Sequence, residues 1–388
     1  MQYFALLLLF IIGLPSLSQN AVKTDTLKSR RELRHARQQR KIQEGRFMFF
    51  PIGAPASTPE LGFLVALGGI PSFKTHRSDS IIQRSSVPMT IGVSSTGAVV
   101  AQALLSSYWF QDRMRIFADI WYKNLPDNYW GVGFQNAAER LESDSITAYD
   151  RKWWWFNPRV LYQPRKHYFI GVNIDFNYTQ GSNPSKGVAA DPDYNMFNNK
   201  PLNTGLGLIV RFDSRDVPVD ARQGVLFDLR STFYGSYLGG DNQYQVYQVD
   251  YRHFLPIHRE GQTLTWQAKL RISHGAVPYG ELSQLGTPFD LRGYTWGRYR
   301  DKDLFFILSE YRHIFLKRDR SLSRHSFVLW GGTGSVFKKF SFNNDQVNLI
   351  WNLGLGYRIE VQPRTIIRLD YGFGNDTTGF YFNFNQAF

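Results

Sequence analysis

Chemistry in a protein needs nucleophiles, acid–base groups or metal ligands held close together, and this sequence of 388 residues scatters them. It contains no Cys, which removes a thiolate nucleophile, a thiolate zinc site and a disulfide framework together. The eight His are dispersed, and His253, His258, His274, His313 and His325 fall near expected strand ends or turns, where a solvated imidazole is the ordinary reading. No Gly-x-Ser-x-Gly elbow, His-Glu-x-x-His pair or phosphate loop occurs. Gly205-Leu206-Gly207 and Gly354-Leu355-Gly356 share the spacing of nucleotide loops but lie inside strand-like alternation, where glycine relieves crowding in a curved sheet. The sequence therefore predicts no enzyme, no catalytic residue, no cofactor and no metal. A barrel-embedded hydrolase would require Ser, His and a carboxylate converging at one rim.

What is concentrated is arginine, glycine and aromatic side chains in one long connection. Phe289-Asp290-Leu291-Arg292-Gly293-Tyr294, followed by Gly297-Arg298-Tyr299-Arg300, lies in the stretch 276–302. A connection of that length between long strands is usually functional or disordered.

The elements that must position it are strands. From about residue 46 onward apolar residues recur at every second position, the period of a strand with two unlike faces. Leu264, Trp266, Ala268, Leu270 and Ile272 alternate with Thr265, Gln267, Lys269, Arg271 and Ser273. Ile170, Val172, Ile174 and Phe176 alternate with Gly171, Asn173, Asp175 and Asn177, and Ile367, Leu369, Tyr371 and Phe373 with Arg368, Asp370 and Gly372. A soluble β-sandwich would show the same alternation. Strand length decides against it: these segments run about 9 to 15 residues, as strands crossing a bilayer at a tilt do, where sandwich strands average about 5 to 6. Aromatic clusters such as Tyr108-Trp109-Phe110 and Trp153-Trp154-Trp155-Phe156 stand near strand ends, at headgroup level. Because hydrocarbon leaves no backbone group unpaired, the strands must close into a barrel. The expected fold class is all-β, a transmembrane antiparallel β-barrel of about sixteen strands, with a short first strand at 46–52 and a last strand at 379–388. Long connections at 126–148, 181–201, 276–302 and 338–346 fall on one side, and tight turns such as Gln163-Pro164-Arg165-Lys166 on the other, which puts both termini in the periplasm.

The amino terminus predicts export. Residues 3–14 form an apolar run shorter than the ~20 residues a spanning helix needs, and Pro15-Ser16-Leu17-Ser18 supplies small residues for cleavage after Ser18. The formal net charge is +13. Almost half of it sits in 23–46, where Lys23, Lys28, Arg30, Arg31, Arg34, Arg37, Arg40, Lys41 and Arg46 face only Asp25, Glu32 and Glu44. That segment reads as a solvated tail or as a basic stretch docking on anionic lipid or a periplasmic partner. Nucleic acid is not expected as a partner of an exported chain. The domain reading is a signal peptide at 1–18, a basic periplasmic segment at 19–45 and an outer-membrane barrel at 46–388.

The Arg-Gly-aromatic loop, five strands from the carboxyl end, resembles the motif loop of the BamA/TamA bacterial surface antigen family of outer-membrane assembly factors. Three further features resemble that family. Asp213-Ser214-Arg215-Asp216 with Pro218 and Gly224 is similar to its turn between two long strands. Ser309-Glu310-Tyr311-Arg312 is similar to the strand after the loop, and Leu369-Asp370-Tyr371-Gly372-Phe373-Gly374 to its last hairpin. The resemblance covers about residues 46 to 388. It implies a sixteen-stranded barrel with the loop 276–302 folded into the lumen, the motif Leu291, Arg292, Gly293 and Tyr294 acting as a brace, and Arg292 held by Glu310. Some relatives add a second carboxylate on the following strand; here that stretch reads Trp330-Gly331-Gly332-Thr333-Gly334, so the arginine is expected to be held less tightly. Thr377, Gly379, Phe382, Phe384 and Phe388 resemble a sorting strand with outward rings, by which the barrel assembly machinery recognises a new barrel. The front departs from the family: about 27 residues between Ser18 and the first strand leave no room for POTRA modules. The implied function is assistance in inserting or translocating protein or lipid substrates. The rival is a passive channel, since inward Asp175, Arg211, Asp228, Arg230, Asp250, Arg252, Lys269, Arg271, Arg358 and Arg368 would make a charged lumen.

Overall fold

The computed structural model describes residues 40, 44–58, 62–79, 82–140, 142, 145–340, 348–375 and 377–388. The expected signal peptide at 1–18, and all of the basic segment 19–45 except Arg40, Glu44 and Gly45, lie outside the described residues.

Alternating sequence becomes alternating faces. The chain runs through β1 (Met48–Thr58), β2 (Gly62–Phe73), β3 (Ser85–Ser86 continuing as Met89–Ser94), β4 (Val99–Trp109), β5 (Met114–Asn128), β6 (Ala148–Arg165), β7 (Tyr168–Ser182) and β8 (Leu202–Asp213). It continues through β9 (Gly224–Tyr234), β10 (Tyr244–Pro256), β11 (Gln262–Gly275), β12 (Asp303–Leu316), β13 (Leu322–Phe337), β14 (Ile350–Gln362), β15 (Thr365–Phe373) and β16 (Thr378–Phe384). Each strand pairs antiparallel with the one that follows it in sequence. The two pieces of β3 share one register: Ser72 faces Ser86 and Gly69 faces Met89. The break falls at Val87-Pro88, where proline has no N–H to offer the ladder. On the strand count, then, the sequence reading and the structure agree at sixteen among the described residues.

Two strand lengths differ from expectation, and they exchange places. β1 is not short: it has 11 residues paired with β2 from Met48 opposite Ser72 to Thr58 opposite Gly62. β16 has 7 residues and stops at Phe384. Asn385 takes a left-handed φ of 58° and turns the remaining tail inward. Gly53 and Pro51 interrupt the apolar alternation that would have revealed the full length of β1, although the backbone ladder runs through them.

The barrel is inside-out relative to a soluble protein. Ile170, Val172 and Ile174 on β7 and Leu206, Leu208 and Val210 on β8 are exposed, whereas Asn173, Asp175, Asn177 and Arg211 are buried. Apolar residues face outward and polar ones face the lumen, as a membrane-spanning barrel requires. The lumen is packed rather than open. Leu285, Leu291, Tyr294 and Tyr299 from the 276–302 loop cluster with Phe254, Leu304, Phe306 and Leu308 of the wall, with Ala221 of the β8–β9 turn, and with Ala387 and Phe388 of the tail. At the long-loop rim, α1 (Phe134–Glu139), α2 (Lys186–Ala189) and α3 (Pro192–Phe197) belong to connections that bring Tyr129, Tyr149, Val188, Tyr194, Phe197 and Tyr279 into a second buried cluster.

Candidate functional site

The 276–302 loop is a folded unit before it meets the wall. Ser283 and Gln284 pair with Asp301 and Arg300 as a two-residue ribbon. Asp290 shapes the tip: its Oδ1 accepts the backbone N–H groups of Gly286 (2.8 Å), Thr287 (2.8 Å) and Leu291 (2.6 Å), and the Thr287 hydroxyl donates to Oδ2 at 2.5 Å. Burial pushes the Asp290 carboxyl up to about 6, and these donors oppose the shift. Leu291, fully buried, joins the lumen cluster.

That tip delivers Arg292 to two carboxylates. Its Nη2 lies 2.5 Å from Glu310 Oε1 on β12, and its Nη1 lies 2.6 Å from Asp370 Oδ2 on β15. All three side chains are completely buried. The guanidinium also lies over the Trp330 ring, 3.8 Å from its centre. The expectation of a weakly held arginine is thus corrected. Trp330 stands where the carboxylate was sought and stacks on the cation, and Asp370, two strands further on, supplies the second negative charge. The alternation in β15 had placed Asp370 on the lumen face with Arg368 and Gly372, and that was the available signal. Trp330 has its own seat: a Cβ on Gly354 would come within 2.1 Å of its ring.

Gly293 and Tyr294 fix the loop to the last hairpin. Gly293 has φ 119°, and a Cβ there would meet Gly374 N and Phe373 C at 2.7 Å. From the other side, a Cβ on Gly372 would meet Arg292 O at 2.6 Å, so the loop backbone lies directly on the end of β15. Tyr381 Oη accepts the Gly293 N–H (2.9 Å), and the Thr377 hydroxyl donates to Gly293 O (2.6 Å). The Tyr294 hydroxyl donates to Trp351 O (2.7 Å) and accepts the Asn375 N–H (3.0 Å). A further anchor lies on the opposite wall, which the sequence reading did not find. Trp296 of the loop sits over Lys123 Nζ at 3.4 Å and packs edge-on against Trp121 and Trp153.

From Glu310 the contacts run toward the tight turns. Glu310 Oε2 accepts Arg312 Nε at 3.0 Å, and Arg312 donates to the carbonyls of Ala221 (3.2 Å) and Phe388 (2.8 Å). Asp370 is also paired with Arg358, which donates to Gln386 Oε1 at 3.2 Å. The expected sorting strand is therefore split. Gly379 pairs opposite Gly372, Phe380 is exposed, Phe382 is half-buried, Phe384 is 2% exposed and Phe388 lies in the lumen cluster. Phe384 pairs opposite Ile367 and its ring packs on Phe382, so it keeps the face of those residues although it is covered, whereas the reading of 379–388 as one strand is corrected by the short β16 and the turn at Asn385.

The Asp213–Gly224 turn is ordered by its own arginine. Arg215 forks onto both Asp213 oxygens at 2.8 and 2.9 Å and donates to Pro218 O at 3.0 Å. Arg115 reaches the same carboxylate at 2.6 Å. Among the described residues no group of His, Asp and Glu is placed to hold a metal ion.

No curated protein sequence matches this chain. In fold it is similar to BamA from Haemophilus ducreyi lacking POTRA domains 1-3, with a TM-score of 0.55 and 10% identity over 88% of this chain and 69% of that one. It is also similar to CdiB from Acinetobacter baumannii, with a TM-score of 0.51 and 11% identity over 88% of this chain; it spans 60% of that one. The Omp85 superfamily domain matches residues 89–388, which contain fourteen of the sixteen strands from the main part of β3 onward and the whole arginine-braced loop. With that match and this lumen architecture, the chain belongs to the Omp85 superfamily of outer-membrane β-barrels.

Proposed function

We infer that this protein assists the insertion or translocation of protein or lipid substrates at the outer membrane, with the Arg292 loop as an internal brace. The observation that carries the reading is the double clamp on Arg292. A loop fixed by two buried carboxylates, a stacked indole and glycine seats on β15 is built to stay in the lumen, which suits a barrel whose work lies at its wall rather than through an open pore. In this reading the first strand, β1, and the short last strand, β16, meet in a seam with few hydrogen bonds that opens laterally. The long loops face outward and both termini face the periplasm, after removal of a signal peptide at 1–18. The basic stretch 23–46 then docks on a periplasmic partner or on anionic lipid. The barrel assembly machinery inserts the protein itself, with Gly379, Phe382, Phe384 and Phe388 as the recognised end. No catalytic or cofactor chemistry is assigned.

Single-channel conductance of the refolded protein tests the brace against the passive-channel alternative. The expected result is a mostly closed wild type and large openings in Arg292→Ala and in a deletion of 283–299. A steady open wild-type pore, unchanged in both variants, would overturn the brace and favour a channel. For the seam, cysteine pairs with one member in Met48–Gly53 and one in Thr378–Phe384 use the absence of native Cys. Cross-linking that leaves substrate handling intact would count against lateral opening.

A further inference from the structure

Apart from the loop site, the lumen holds an arginine-rich chamber. A cavity of about 200 Å³ is walled by Arg159 on β6, Arg211 on β8, Arg230 on β9, Arg252 on β10 and Arg215 of the β8–β9 turn, with Asp228 and Asp250 as the carboxylates on its surface. Pro218 and Val219 of the same turn also line it.

Four of these arginines are committed. Arg211 is held by Asp228 (Nε to Oδ2, 2.6 Å), Arg252 by Asp250 (2.5 Å), Arg215 by Asp213 (2.8 Å) and Arg159 by Asp119 (2.7 Å). Arg230 is not. Its Nη2 stands 3.6 Å from Asp228 Oδ1, on a carboxylate already held by Arg211, and its buried Nε has no hydrogen-bond partner. Asp250 has no capacity to spare, because Gln267 donates to Oδ1 (2.9 Å) and Lys269 stands opposite it across the ladder. Arg159 Nε is likewise buried without a partner. The wall therefore carries surplus positive charge and unused donors around a space that holds several water volumes at ~30 Å³ each. Guanidinium forks match tetrahedral oxyanions better than spherical ions. We propose that this chamber is a binding site for a phosphate group, with Arg230 as its principal ligand, supplied either as free phosphate or as the headgroup of a phospholipid monoester.

The test is calorimetric titration of the full chain in a phosphate-free detergent at constant ionic strength. One arm uses inorganic phosphate, the other a lysophosphatidate in mixed micelles. Saturable binding of inorganic phosphate supports the free-ion source, and saturable binding of the lysophosphatidate alone supports the headgroup source. Arg230→Gln, which breaks no close ion pair, should weaken binding at least tenfold. Asp228→Asn, which frees Arg211, should strengthen it at least threefold. Arg165→Gln, at the end of β6 outside the chamber, should change nothing. The Asp228→Asn arm keeps the proposal testable if Arg230→Gln fails to fold. An adventitious, purely ionic attraction would show as equal weakening in Arg165→Gln. That result, or the absence of saturable binding with either probe, or unchanged affinity in Arg230→Gln, would overturn the site.

Discussion

At the scale of single residues, the lumen shows why paired and unpaired arginines behave differently. Arg292 satisfies Glu310 and Asp370 at once, so Arg292→Ala would leave two carboxylates buried without their main partner. The expected cost is about 3–5 kcal/mol, read as a lower denaturant midpoint of the refolded barrel, with Arg292→Lys recovering only part because an ammonium cannot span both carboxylates as a fork does. Arg368 presents the reverse case. It is fully buried, faces Arg358 directly across the β14–β15 ladder, lies 3.6 Å from an Asp370 already shared by two arginines, and none of its three nitrogens has a hydrogen-bond partner. Like charges directly opposite in a sheet destabilise it. Arg368→Met should therefore be neutral or raise stability, by up to ~4 kcal/mol, in the same unfolding assay. A large loss would mean that Arg368 is matched by a bound anion or water.

At the scale of the element, the loop is held at both sides of the lumen, by Arg292 and Tyr294 on the β12–β15 wall and by Trp296 against Lys123 on β5. Its ascending limb carries a buried carboxyl, that of Glu281. Burial pushes the Glu281 carboxyl up to about 8; the charge of Asp175 adds to this, and Arg271 and Arg151 oppose it. A carboxyl raised in the folded state binds its proton more tightly there than in the unfolded chain. The stability it contributes is full below its ordinary value of 4.5 and falls as pH rises toward 8. Loop docking should accordingly weaken between pH 5 and pH 8.5, seen as more frequent channel openings, and Glu281→Gln should flatten that dependence. Equal pH dependence in the variant would place the titrating group elsewhere.

At the scale of the whole molecule, the exposed apolar belt and polar interior define a protein whose solvent is lipid. Replacing an outward residue such as Val172, about half exposed on β7, by arginine should cost about 2–4 kcal/mol near the middle of the bilayer and less toward its edges. Folding yield into vesicles measures this, and the same substitution at inward Asn173 should follow packing rather than depth. A uniform effect on both faces would contradict the assigned orientation of β7.

What the sequence determined by itself was everything carried by periodicity and by chain-local motifs. Side chains two residues apart must share a face, so the alternation in β7, β11 and β15 was enough to assign lumen and lipid sides, the sixteen strands and the class of barrel. The loop motif with Glu310 one strand away was legible because it lies close in sequence. Tertiary structure alone decided what depends on contacts across the lumen. Asp370 meets Arg292 across a sequence separation of 78, and the indole of Trp330 takes the place of an expected carboxylate because Gly354 leaves room for it. The true lengths of β1 and β16 were hidden for a related reason. A strand end is set by where the neighbouring ladder and the tail's own partners stop, at Phe384 and Asn385, and pairing between strands makes that a property of distant segments rather than of the residues at the end.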